Sequence, residues 1–282
     1  MPDPHQALLA LAGRAPDGWL AIAREALADG DLARLADLQT ALEPVLAARP
    51  PAKHQFTPDH GTHEEADRAV VAAVAAQAST AACWASTRDG KDRVYLVQAD
   101  EDLPGITAAV QGVLNETPRV EVFGPRTRLP PYHEAALLAA TLLWSAEPEK
   151  PVRIARTFDG ASPKDGPWFD PSHELVVDMK ERQRLLDFLR GGEVVLTTDV
   201  RLTDVLTAAA GAVPADLRSD GRWVWSEASR YYLERHRLAP EAGLAEHALR
   251  NMPKRKLSPL DRHRVRAALD PTNVEEPLWR AG

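Results

Sequence analysis

Aromatic residues are concentrated in one short stretch of the chain, Arg218 to His247. The 282 residues include only 7 tryptophans and 4 tyrosines, and this stretch contains two of each. Trp223 and Trp225 alternate with a valine, so both indoles are expected on one face of a strand. Large aromatic side chains stabilise proteins mainly through the area that they bury. The stretch therefore predicts a packed, folded unit, and it indicates no particular reaction.

Composition limits the classes of protein to which this chain can belong. With 44% hydrophobic residues, the chain can bury the core of one large domain or two ordinary ones. The net charge of -7 opposes general attraction to nucleic acid or to anionic lipid. Cys83 is the only cysteine, which excludes an internal disulfide framework and fits a reducing compartment. The first residues do not resemble a secretory signal, and we expect a cytoplasmic location and no membrane partner.

Proline, glycine and changes of periodicity divide the chain into four segments. We predict a helical hairpin arm over residues 1–50 and a linker over 51–61. A mixed-sheet α/β domain is predicted over 62–160, and an aromatic-rich α+β module with a basic terminal helix over 161–282. Strands and helices alternate irregularly in the two larger segments. The predicted fold class is therefore α+β, with helices packed on mixed sheets.

Several elements are predicted within these segments. Residues 83–99 read as a hairpin that turns at Asp89-Gly90, a common hairpin dipeptide. Residues 132–146 are apolar on nearly every side and predict one buried helix. A strand is expected over 151–158 and a short helix near 203–210. The pair Gly191-Gly192 predicts a left-handed helix stop.

A group of histidines and acids in a proline-broken loop offers ligand types for a divalent metal. Carboxylates and imidazoles bind zinc, and the loop supplies His54, Asp59, His60 and His63. The loop lacks HExxH spacing, and catalytic zinc sites draw their ligands from rigid elements. A solvated acidic loop is the favoured interpretation, and a zinc site is the alternative.

Basic residues cluster close to the carboxyl end of this acidic chain. Such a patch can hold phosphates of nucleic acid, or an acidic partner. It can equally be a solvated helix face that the protein's own carboxylates neutralise, which is the favoured interpretation. The candidate binding residues are Lys254, Arg255, Lys256, Arg262, Arg264 and Arg266.

The aromatic stretch supplies a second set of candidate binding residues. Asp220 precedes a glycine in a predicted turn, and Trp223 and Trp225 follow it. Tyr231 and Tyr232 are neighbours on the next helix, so they cannot both point the same way. The set could stack on a base, a sugar or a proline-rich peptide. Burial in the core is the favoured interpretation.

The stretch from Leu185 to His247 resembles a module of uncharacterised bacterial proteins. In that module a VVLxTT-like strand precedes a DGxWxW turn and a YYLxxH helix, and the matching elements here are Val194 to Thr198, Asp220 to Trp225 and Tyr231 to His236. The resemblance covers less than a quarter of the chain. It implies a recurring fold unit and assigns no activity.

Common catalytic motifs do not occur in the sequence. The chain has no GxSxG, P-loop, GxGxxG, HExxH, CxxC or EF-hand pattern, which weighs against the enzyme classes that carry them. Asp199 and Asp204 follow a predicted strand and could act as paired carboxylates, although caps and turns use the same residue types. The sequence therefore favours a role without catalysis.

The favoured function is a non-enzymatic cytoplasmic protein that binds a protein partner and needs no cofactor. A regulator, an immunity-type inhibitor or a subunit of an assembly would fit, and the acidic excess suits a basic partner. One alternative is a metal-dependent hydrolase that uses the histidine loop. The other is a nucleic-acid accessory factor that acts through the basic terminal helix.

Overall fold

A computed structural model describes residues 3–48, 52–58, 63–148, 151–253 and 256–270. Helices pack on mixed sheets, which confirms the predicted α+β class. The chain divides into two compact units, residues 1–148 and 149–282. None of the described helices combines the length and the apolarity needed to cross a bilayer.

Unit 1 contains a sheet with helices around it. Its helices are α1 (Pro4–Leu9), α2 (Asp17–Ala28), α3 (Leu32–Ala48), α4 (Glu64–Ala75), α5 (Leu103–Gln111) and α6 (Pro131–Ala139). Its strands are β1 (Phe56–Thr57), β2 (Thr80–Arg88), β3 (Asp92–Ala99), β4 (Val120–Phe123) and β5 (Thr141–Ser145). The strand order is β1-β2-β3-β4, and β5 also pairs with β2. Strand β4 runs parallel to β3 and ends this order.

The central hairpin of unit 1 forms where the sequence predicts it. Strands β2 and β3 pair antiparallel, and Asp89 and Gly90 adopt positive φ angles of 53° and 72° in the turn. Two successive positive φ angles match the twist of a tight hairpin. Cys83 lies inside β2 with no exposed surface, and burial raises the pKa of its thiol to about 12. The thiol is therefore protonated and enclosed at neutral pH.

The predicted helical arm packs into unit 1. Its own small core includes Leu8, Leu20 and Leu35. At the start of α2, Asp17 accepts hydrogen bonds from Arg88 at 2.6 Å and from Arg119 at 2.7 Å. Both arginines belong to the sheet region, so these ion pairs fix the arm to it.

Side chains of the arm also cover the outer edge of strand β4. The Tyr95 amide donates to the Arg119 carbonyl, so the alternate carbonyls of Val120 and Val122 point away from β3. Arg24 donates to the Val120 carbonyl at 2.7 Å, and Nε2 of His5 contacts the Val122 carbonyl at 2.7 Å. Unpaired strand edges invite pairing with other chains. This edge is closed by side chains.

A buried ion cluster accompanies that edge. Arg24 and His133 both contact Oε2 of Glu121, at 2.5 Å and 2.7 Å, and all three side chains are 3% exposed or less. Burial alone would raise the pKa of Glu121, but the charges of Arg24 and His133 and their hydrogen bonds lower it. Glu121 is therefore held as a buried carboxylate.

The single helix predicted over 132–146 is wrong. Helix α6 ends at Ala139, Ala140 takes an extended conformation, and strand β5 follows. Strand β5 pairs with β2 through contacts such as Cys83 with Trp144. A segment that is apolar on all sides suits a buried helix or a buried strand equally well. Residues 141–145 form a strand because the edge of β2 is available for pairing.

Unit 2 contains a second sheet and four described helices. The helices are α7 (Met179–Gly191), α8 (Glu227–His236), α9 (Ala242–Arg250) and α10 (Pro259–Leu269). The strands are β6 (Arg153–Ile154), β7 (Gly160–Ser162), β8 (Gly166–Trp168), β9 (Glu193–Leu196), β10 (Arg201–Leu202), β11 (Val213–Pro214), β12 (Leu217–Ser219) and β13 (Trp223–Ser226). The main sheet has the order β6-β13-β12-β9. Ser226 caps α8, and Ser258 with Asp261 forms the capping box of α10.

Three local predictions for this unit need correction. Only Arg153–Ile154 of the strand expected over 151–158 is formed, and it pairs parallel with β13 of unit 2. Residues 203–210, all of which are described, form turns: the Asp204 carbonyl accepts from the amide of Ala208, and Ala208 then takes a positive φ of 56°, which does not continue a helix.

The pair Gly191-Gly192 does not form a left-handed stop. Gly192 has a φ of -65°, so the predicted left-handed conformation is wrong. The glycines are needed for close approach. A Cβ atom on Gly192 would lie 2.5 Å from the ring of Trp225, and one on Gly191 would lie 2.3 Å from Pro253. Small residues here let α7, the indole and the segment after α9 pack together.

Candidate functional site

The aromatic candidates of the sequence lie inside unit 2. Trp223 and Trp225 are 6% and 1% exposed and contact the same core, which contains Phe188. The indole Nε1 of Trp225 donates to the Leu189 carbonyl at 3.1 Å. Asp220 shapes the turn before them by accepting from the amide of Trp223 at 2.9 Å. These side chains pack in the core of unit 2 and offer no open face for stacking.

Tyr231 and Tyr232 point in different directions, as adjacent positions on a helix require. Tyr232 is 1% exposed, and Tyr231 is half-buried. The Tyr231 hydroxyl donates to Oδ2 of Asp204 at 3.0 Å, and Nε2 of His236 contacts the same oxygen at 2.7 Å. Asp204 also accepts from the amide of Leu206 at 2.9 Å. This cluster fixes the turn after β10, in the capping role that the sequence favours for Asp204.

Acid should loosen the turn that Asp204 holds. Burial alone would raise the pKa of Asp204, but hydrogen bonds from Leu206, His236 and Tyr231 lower it well below its usual range. A lowered folded pKa gives stability above the unfolded pKa of about 3.9, and that stability is lost as the pH falls through the folded pKa. We expect Asp204→Asn to reduce the free energy of unfolding by about 1–3 kcal/mol at pH 7, the cost of losing hydrogen bonds to a charged group.

Urea unfolding at pH 7 and in steps below pH 4 measures this difference. The difference in free energy of unfolding between Asp204→Asn and the unsubstituted protein should become smaller as the pH falls, because the carboxylate of Asp204 becomes protonated in the unsubstituted protein. The exposed residue Asp187 serves as the control, since Asp187→Asn should give a small difference that changes little with pH. A difference for Asp204→Asn that is constant with pH would contradict the assigned role.

The histidine loop does not assemble a metal site among the described residues. Asp59 and His60 lie outside them. Nδ1 of His54 contacts Asp89 at 2.7 Å and Nε2 contacts the Gly13 carbonyl at 2.9 Å, so both ring nitrogens are occupied. His63 precedes α4 and lines a separate cavity of about 450 Å³. Within the described ranges, no three histidine, cysteine or acidic side chains are placed to hold a metal ion together.

The basic candidates are only partly available for binding. Lys254 and Arg255 lie outside the described residues, and Lys256 is exposed. Arg262 pairs with Glu193 at 2.6 Å. Arg264 and Arg266 lie on α10, and both have interaction partners. The ion pair of Arg262 follows the favoured interpretation, in which the protein's own carboxylates neutralise the helix.

Unit 2 contains a groove of about 740 Å³, the arginine groove, which a different group of arginines lines. The groove lies where the end of α7, strand β12 and the segment after α9 meet. Its charged side chains are three arginines and one aspartate, and its walls include exposed and buried apolar groups. The lining residues are Arg184, Asp187, Phe188, Arg190, Gly191, Gly192, Arg218, Ala248, Asn251, Met252 and Pro253.

The arginines of this groove are held in place by the protein. Arg218 donates to the Gly192 carbonyl at 2.7 Å and pairs with Glu227. Arg190 pairs with Glu234 at 2.6 Å. Arg230 bridges the two glutamates, at 2.6 Å and 2.7 Å, and joins both pairs into one network. The network fixes the guanidinium groups before any ligand arrives.

The rim of the groove is more accessible than its base. Arg184 is exposed and donates to the Leu249 carbonyl. Met252 is 88% exposed, which is unusual for a large apolar side chain. Planar guanidinium groups bind carboxylates through paired hydrogen bonds, and methionine adapts to irregular apolar surfaces. The groove therefore offers charge and apolar contact to an acidic, partly apolar ligand.

Sequence reasoning missed this groove. Its arginines come from α7 and β12, and Met252 follows α9, so no short motif contains them. The available signal was the two arginines Arg184 and Arg190 beside the buried leucines of α7. Searches of protein-family models, of curated proteins and of solved structures found no match to this chain.

Proposed function

We propose that the protein is a non-enzymatic binding protein that holds an acidic segment of a protein partner in the arginine groove. The observation that carries the proposal is the set of arginines fixed around one groove beside an exposed methionine. Arginine and methionine are both enriched at protein interfaces. The proposal places the protein in the cytoplasm, where its single thiol stays reduced.

Pre-organisation favours this groove as a recognition site. A free arginine loses side-chain entropy when it binds, and ordering such a side chain costs about 0.5–1.5 kcal/mol. Arg190 and Arg218 are already ordered by Glu234 and Glu227. A carboxylate that reaches the groove meets guanidinium groups in fixed positions.

The two alternative functions have less support. A hydrolase built on the histidine loop would need a nitrogen of His54, and both are bonded within unit 1. A nucleic-acid factor would act through α10, where Arg262 is paired with Glu193 as Arg190 is with Glu234, so ion pairing does not separate the two surfaces. The net charge of -7 opposes phosphate binding by the molecule as a whole.

A charge-reversal variant of the groove tests the proposal. Arg184→Glu and Met252→Asp together replace two exposed residues of the rim and leave the core of unit 2 unchanged. The tagged protein and this variant are used in parallel to capture proteins from host lysate after nuclease treatment, with quantitative mass spectrometry as the readout. We expect the unsubstituted protein to capture a stoichiometric partner with an acidic segment, and the variant to recover at least tenfold less of it.

The matched control is Arg156→Glu, which reverses the charge of a 74% exposed arginine that does not line the groove. This control should retain the partner. Equal recovery of every protein by the groove variant and by the control would contradict the proposal. Melting curves of the three proteins establish that the comparison is made between folded molecules.

A further inference from the structure

Strand β9 lies at one edge of the main sheet of unit 2. It stands last in the order β6-β13-β12-β9, and among the described residues only β12 pairs with it. In unit 1 the outer edge of β4 is covered by His5 and Arg24. Natural proteins usually protect edges with such contacts, with charges or with prolines. Strand β9 begins with one charged residue, Glu193, which pairs with Arg262, and continues with the exposed side chains of Val194 and Leu196.

The side chains of β9 divide between the core and the solvent. Val195 packs against the cluster that contains Val224 and Leu257. Val194 and Leu196 are 41% and 51% exposed, and the register with β12 shifts between their partners Arg218 and Leu217, which marks a bulge in the pairing. Exposed β-branched and aliphatic residues on a free strand edge are a template for pairing with another chain.

This edge strand adjoins the arginine groove. In the strand register, Val194 lies opposite Arg218, and paired residues of neighbouring strands share a face of the sheet. Gly191 and Gly192, which line the groove, precede β9 directly in the chain, and Arg218 donates to the Gly192 carbonyl. The start of β9 therefore adjoins the lining of the groove.

We propose that the acidic segment binds as an additional strand along β9. This inference rests on the proposed function and specifies how the partner is held. Carboxylates of the segment meet Arg190 and Arg218 in the groove, and alternate apolar side chains pack beside Val194 and Leu196. Main-chain hydrogen bonds to β9 supply affinity, and the side-chain pattern supplies specificity, as in other cases of strand addition. The partner is an extended peptide segment with acidic residues next to alternating β-branched residues.

A synthetic peptide tests the strand geometry on the full-length protein. The probe carries fluorescein, two glutamates at each end, and alternating valine and threonine between them. Two further versions carry N-methyl groups on alternate amides, one set on each edge of the extended peptide. A strand pairs through one edge only, so we expect one version to lose at least tenfold in affinity and the other to bind as the unmodified peptide does.

The outcomes separate this inference from the proposed function. Fluorescence anisotropy gives the affinity of each peptide for the protein and for Arg184→Glu. If Arg184→Glu weakens the unmodified peptide but both methylated versions bind as it does, strand addition is overturned and charge recognition by the groove remains. If the unmodified peptide does not bind, the inference is also overturned, and the capture experiment still judges the groove independently. A lysine-for-glutamate peptide serves as the charge control.

Discussion

Arg24→Met is expected to lower the free energy of unfolding by about 3–5 kcal/mol, the usual cost of removing one partner from a buried ion pair. Arg24 and Glu121 are 3% and 2% exposed, and their atoms lie 2.5 Å apart. Without the guanidinium, the carboxylate of Glu121 would remain buried with only its contact to His133 in the cluster. The variant would also leave the Val120 carbonyl at the β4 edge without its donor. Urea unfolding followed by circular dichroism measures the loss.

A double variant separates the charge effect from the packing effect. Arg24→Met combined with Glu121→Met removes both charges and keeps apolar bulk in the site. Replacing a whole buried ion pair by apolar residues is often neutral, so the double variant should be more stable than Arg24→Met alone. The single variant Glu121→Met completes the comparison. If the losses of the two single variants add up to the loss of the double variant, Arg24 and Glu121 do not stabilise each other.

Trp225→Ala should also cost about 3–5 kcal/mol, the range for deleting a large aromatic side chain from a core. The indole is 1% exposed, its ring centre lies 5.4 Å from that of Phe188, and its Nε1 donates to the Leu189 carbonyl. The substitution leaves a cavity and an unpaired carbonyl beneath the arginine groove. Chemical denaturation gives the loss.

Trp168→Ala is the matched control for this substitution. Trp168 is 45% exposed and lies on strand β8, away from the main sheet of unit 2. Its removal should cost at most about 1 kcal/mol, as for most exposed positions. A Trp225→Ala protein that keeps the stability of the unsubstituted protein would contradict the role of the indole in the core.

Some local signals in the sequence predict their part of the fold correctly, although the left-handed stop at Gly191-Gly192 and the helix near 203–210 do not form. The Asp89-Gly90 turn depends on residues a few positions apart, and it forms as predicted. The predicted role of Asp204 in a turn is of the same kind. Each of these features is decided by backbone geometry and hydrogen bonds within one stretch of chain.

Features that depend on distant pairing were missed. Strand β5 exists because β2 offers it a free edge, and nothing in residues 141–145 alone distinguishes it from a helix. The candidate site has the same origin, since Arg184, Arg218 and Met252 meet only after α7, β12 and α9 have packed. The tryptophans were correctly favoured as core because two alternating indoles on a strand bury a large area.

The enclosed thiol of Cys83 makes the folded protein a convenient background for site-specific chemistry. The only cysteine of the chain has no exposed surface, and its pKa is raised to about 12. The thiolate is the form of cysteine that attacks maleimides, so the native protein should resist them at neutral pH. A cysteine placed at Met252 or Val177, which are 88% and 72% exposed, would carry a dye or spin label without first removing the native residue.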